Sequence, residues 1–90
     1  MYQLKTSNKY DKEYVLASKR GLDISLLDEV VMQLVKGNVL DARYKNHKLS
    51  GDYEGCYECH IKPDWLLIYR KNETDLVLLL MRTGTHSDLF

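Results

Sequence analysis

Ninety residues carry thirteen basic and thirteen acidic side chains, so the formal charge cancels. That balance excludes a nucleic-acid binder held by bulk charge, because phosphate contacts normally rest on a basic surplus. The length suits one domain with a modest core, and one Pro with five Gly leaves no low-complexity segment. Met1 to Ser7 carries no apolar signal core, and the apolar run from Leu76 to Met81 is far too short to cross a bilayer. A soluble, cytoplasmic protein without membrane contact is expected.

Residues 2–6 alternate and predict a first strand. Ser7 or Asn8 offers a helix N-cap, and Tyr10, Tyr14 and Ala17 fall on one face of a helix running to about Arg20. Gly21 stops it. Asp23 caps a second helix, whose Ile24, Leu27, Val31, Leu34 and Val35 keep helical spacing up to Gly37. So short a link predicts an antiparallel helix hairpin. Residues 38–54 are polar and turn-rich and predict a long ordered loop, a class that is often functional. Three strands follow, at about 56–61, 65–70 and 75–81, separated by turns at Pro63-Asp64 and at 71–74. The tail from Arg82 has no periodicity. The expected fold class is α+β, in the order β-α-α-β-β-β, with the helix hairpin on one face of a mostly antiparallel four-stranded sheet.

An up-down-up meander gathers chemistry at one edge. The end of the second strand, the start of the third and the end of the fourth lie together there. Centring the turns on Lys62/Pro63 and Asn72/Glu73 sets His60 opposite Trp65, and Trp65 opposite Leu80 with Arg82 just beyond. His86 is four residues past Arg82, within about 14 Å even if fully extended. His60, Asp64, Trp65, Arg82 and His86 therefore converge. Metal-free RNA cleavage needs a base for the ribose 2′-hydroxyl, an acid for the departing 5′-oxygen, and a cation on the crowded phosphate. Histidine titrates near working pH and serves as acid or base. Arginine offers a permanent planar fork for phosphate. Aromatic faces such as Trp65 and Phe90 hold splayed bases. Any wider RNA contact must be local, and Arg43, Lys45, His47 and Lys48 form the one basic stretch suited to it.

Cys56 and Cys59 read C-x-x-C. On a strand, residues three apart point to opposite faces, so the pair is not expected to share a metal or form a disulfide. No cofactor and no metal is expected.

The segments 44–51, 58–69 and 82–90, with the pattern H-x-x-P-D-W-x-L-x-Y followed by a terminal R-x-G-x-H-x-x-L-F, resemble the YafQ branch of RelE-type toxins from bacterial toxin–antitoxin pairs. The likeness covers the whole chain and its motifs are specific. It implies an endoribonuclease that cuts messenger RNA on the ribosome and leaves a 2′,3′-cyclic phosphate. It also implies a cognate antitoxin, and operator DNA contacted only through the antitoxin complex. The family's site residues match His47, His60, Asp64, Trp65, Arg82, His86 and Phe90. On that basis His86 is expected as general acid, Asp64 with His60 as the proton-accepting side, His47 and Arg82 as phosphate contacts, and Trp65 and Phe90 as base contacts. Arg43, Lys45 and Lys48 are expected to bind RNA. The neutral charge departs from the many clearly basic members of this family.

Two other classes stand beside this one. A ParE-like toxin shares the fold but poisons DNA gyrase by binding, and has no need of a histidine-rich edge. A non-catalytic binding module, zinc-dependent through Cys56, Cys59 and a histidine, is the other.

Overall fold

The computed structural model describes residues 1–90. Strand β1 (Gln3–Thr6) leads into helices α1 (Asn8–Lys19) and α2 (Ile24–Val35). Strands β2 (His47–Lys48), β3 (Tyr57–Lys62), β4 (Trp65–Asn72) and β5 (Val77–Gly84) follow, then a one-turn helix α3 (His86–Leu89). The five strands form one sheet in the order β1-β5-β4-β3-β2. β1 runs parallel to β5 and every other pair is antiparallel. The α+β class and the helix hairpin agree with expectation. The sheet has five strands where four were expected, because two residues of the 38–54 loop pair with β3.

Local chemistry sets the helix ends. The Ser7 hydroxyl accepts from the Tyr10 amide at 3.0 Å and donates to the Met81 carbonyl at 2.6 Å, so the cap of α1 also ties it to β5. Asp23 caps α2 through the Ser25 amide. Across the hairpin, the Tyr14 hydroxyl reaches both Asp28 oxygens at 3.0 Å.

The sheet buries both of its faces. Against the helices it presents Cys59, Ile61, Trp65, Leu67, Tyr69, Leu78 and Leu80. On the far face Leu66 and Ile68 pack with Cys56 and Leu89. β4 is thus covered on both sides, which explains its unbroken apolar run. Cys56 and Cys59 fall in the two different clusters, both as free thiols. Burial pushes the Cys59 thiol up to about 12, so it stays protonated and inert.

Strand register differs from expectation. Tyr69, not Trp65, lies opposite Leu80, and His60 faces Leu66, not Trp65. The β4–β5 turn sits later than its sequence suggested. The Asn72 side chain accepts from the Thr74 and Asp75 amides, and Leu76 takes a left-handed conformation with φ 54°. One-residue bulges then shift β5 between Arg82 and Leu80, and β3 between His60 and Lys62. As a result β5 continues to Gly84 and Arg82 lies beside Ile68. The tail, read as aperiodic, contributes the end of β5 and all of α3. No helix is long and apolar enough to cross a membrane.

Candidate active site

Alternation along β3 turns Glu58 and His60 to the face away from the helices, since Cys59 and Ile61 pack against them. Glu58 is 5% exposed. Its carboxylate lies 3.2 Å from His60 Nε2 and 3.5 Å from His47 Nε2, with His47 opposite it in register on β2. His47 Nδ1 donates to the Lys45 carbonyl at 2.6 Å, because a carbonyl only accepts, and this fixes the ring.

His86 approaches from the other side. Its backbone amide and its Nδ1 both donate to Asp64 Oδ1, at 3.0 and 2.6 Å. These two bonds hold the Asp64 carboxyl below the usual carboxylate range. With Nδ1 committed, His86 Nε2 is the nitrogen left for proton transfer. The His60 and His86 rings stand 5.7 Å apart, and His47 and His60 6.2 Å apart. The histidines thus form a row running from β2 across β3 to α3.

Helix α3 is fastened in place. Thr85 and Asp88 form a reciprocal capping box. Arg20 at the end of α1 donates to Asp88 at 2.9 Å. Together these partners bring the Asp88 carboxyl down to about 2. Leu89 is buried, and Phe90 beyond it is 64% exposed, edge-on to Tyr53 at 5.5 Å.

His47, His60, Asp64 and His86 therefore converge, while the partner of Asp64 and the placements of Arg82 and Trp65 differ from expectation. Asp64 was expected beside His60 as proton acceptor; it engages His86. Arg82 was expected to face phosphate. Its Nε and Nη2 instead grip both oxygens of Glu13 at 2.9 and 2.8 Å, and its Nη1 donates to Tyr53 at 3.0 Å. Trp65 was expected to stack on a base. It is 3% exposed, and its indole N–H donates to the Thr83 hydroxyl at 3.0 Å. The later turn and the β5 bulge explain both placements. Arg43 and Lys45 flank the row on the loop before β2, whereas Lys48 turns away and lies 5.9 Å from the Tyr57 ring centre.

Glu58 and Glu13 were not singled out from the sequence. Glu58 carried a signal: it stands two residues before His60 on one strand, and so shares its face. Glu58, His60 and His86 also offer ligand atoms within 4.8 Å of one another, a geometry able to hold a metal ion.

Residues 2–90 match the family of bacterial toxins of type II toxin–antitoxin systems, YafQ. The mRNA interferase toxin YafQ of Escherichia coli K12 is 41% identical over 85 residues, covering 93% of this chain and 90% of that protein. A metal-bound toxin from Helicobacter pylori superposes with a TM-score of 0.93 at 41% identity over the whole of both chains. YafQ in the E. coli DinJ–YafQ complex superposes at 0.92 with 34% identity, over 100% of this chain and 99% of that one. The family match spans nearly the whole chain and the fold agrees: the chain belongs to the YafQ family of toxins from bacterial type II toxin–antitoxin systems.

Proposed function

We propose that this protein is a ribosome-dependent messenger-RNA endoribonuclease, the toxin of a toxin–antitoxin pair, working by metal-independent acid–base chemistry. The observation that carries the reading is the His60–His86 pair, 5.7 Å apart, each ring oriented by its own carboxylate. His60 Nε2 faces the Glu58 carboxylate at 3.2 Å, which leaves Nδ1 to take the proton of the ribose 2′-hydroxyl. The 2′-oxygen then attacks phosphorus and the bond to the 5′-oxygen breaks. His86 Nε2 delivers a proton to that departing oxygen while Asp64 steadies the imidazolium. The product is a 2′,3′-cyclic phosphate and a free 5′-hydroxyl.

His47 supports the Glu58 end of the row and faces the phosphate. Phe90 offers an exposed ring for a base. Trp65 and Arg82 act behind the site, by holding Thr83 and the Glu13–Tyr53 contacts. The relatives' names, mRNA interferase toxin and DinJ–YafQ toxin–antitoxin complex, support RNA cleavage and a cognate antitoxin; a cytoplasmic location and operator DNA reached through that complex belong to the same reading.

Primer extension on a defined message, with and without ribosomes, tests this. Cleavage is expected only with ribosomes. His86→Ala is expected to lose about 10²–10⁴-fold of the rate. A His86→Ala protein that still arrests translation at equal expression overturns the assignment.

A further inference from the structure

A cavity of about 390 Å³ opens beside His60, between the start of α2, the loop before β2 and the end of β3. Its size falls in the range of small-ligand sites. Leu26, Ile61 and Pro63 give it an apolar floor, and Arg43, Lys45 and Lys62 bring three cations to its walls against the single carboxylate of Glu29. None of the three is ion-paired to a carboxylate. In a chain of zero net charge, such a cluster is a local attractor for an anion.

The β3 bulge builds this wall. Cross-strand partners share a face. His60 pairs with Leu66 on the far face, but after the bulge Lys62 pairs with Trp65, which faces the helices. Lys62 is thereby turned out of the histidine row and into the cavity. The opposite wall is also held in advance. The Asp41 side chain accepts from the Arg43 amide at 2.9 Å, and Lys45 sits in a left-handed conformation with its carbonyl bound by His47. The Arg43 guanidinium lies 4.8 Å over the Tyr44 ring, a flat platform of the kind on which bases stack.

We infer that this cavity seats a nucleotide of the message next to the cleaved bond, its phosphate on Lys45 and Lys62 and its base against Arg43 and Tyr44. The inference rests on the ribonuclease reading and extends it. Cations alone also suit an acidic antitoxin segment, but the shared His60 wall and the planar platform favour RNA.

The test uses ribosomes programmed with a message carrying 4-thiouridine on either side of the cleavage point, and the variants Lys45→Ala and Lys62→Ala. Each variant is expected to keep kcat, to raise KM several-fold, and to lower the salt slope of KM by about one. Photo-crosslinks from the message to the peptide holding Arg43–Lys45 or to Lys62 are expected in the wild type. Unchanged KM in both variants, with wild type active and His86→Ala inactive, overturns the site and leaves the ribonuclease reading standing. Crosslinks confined to ribosomal RNA overturn it, as does weakened antitoxin binding with unaltered KM. A wild-type chain that leaves the message intact overturns the ribonuclease reading and this site with it.

Discussion

Glu13 of α1 grips Arg82 of β5 through both carboxylate oxygens, at 2.9 and 2.8 Å, and one of those oxygens also accepts from the Thr83 amide at 3.3 Å. Both side chains are less than one-fifth exposed. The contact joins the helix layer to the strand that delivers α3 and His86. Glu13→Gln keeps the shape but removes the charge-assisted fork. It is expected to cost about 1–2 kcal/mol in denaturant unfolding, with cleavage reduced because Arg82 no longer anchors Tyr53. Unaltered stability would show that the pair is a passive surface contact.

Two aromatic residues are expected to separate cleanly. Trp65→Phe deletes the indole hydrogen bond to Thr83 and is expected to cost about 0.5–1.5 kcal/mol of stability while leaving cleavage within a few-fold of wild type. Phe90→Ala is expected to leave unfolding unchanged and to slow cleavage roughly five- to hundredfold, the worth of one lost base stack. Urea titrations alongside single-turnover cleavage measure both. The opposite pattern would return Trp65 to the RNA surface.

Asp64 gives a signed pH dependence. Its carboxyl titrates below the ordinary value of 3.8 because the amide and ring of His86 donate to it. The folded value lies below the unfolded one, so the contact contributes fully above the ordinary value and is lost as pH falls through the lower folded value. An NMR titration of the Asp64 carboxyl carbon is expected to place its midpoint below 3.8, and His86→Ala is expected to move it up. A wild-type midpoint at or above 3.8 contradicts the pairing.

The sequence made much of this fold legible because its signals are local. Ser7, Gly21, Asp23 and Gly37 mark helix ends within a few residues of the bonds they make. The apolar run of β4 announces a strand buried on both faces. β2 is two residues long and has no periodicity to read. Register escaped because two bulges and an Asn72-held turn reset the pairing one residue at a time. The grouping of His60, Asp64 and His86 survived that error, since His60 and Asp64 flank a tight turn and His86 follows β5 closely; His47 entered the catalytic set only through the resemblance. The positions of Trp65 and Arg82 did not survive it. Glu13 was beyond reach: its contact spans 69 positions and depends on how α1 lies on the sheet.

The trio Glu58, His60 and His86 has the geometry for a metal ion, yet the acid–base steps use the same two histidines. Cleavage is therefore expected to persist in EDTA, and excess copper or zinc is expected to suppress it by occupying His60 and His86. Rates of the chelated protein, with and without added metal, decide this. Loss of activity in EDTA that returns on adding a divalent cation would assign the metal a catalytic part.

The most direct measurement replaces the single ribose 2′-hydroxyl at the cleavage point of a ribosome-bound message by hydrogen. The expected result is an intact deoxy-substituted message beside a cleaved control whose upstream fragment ends in a 2′,3′-cyclic phosphate. Cutting of the substituted message at the same bond would contradict proton transfer from the 2′-hydroxyl to His60 and the in-line attack built on it.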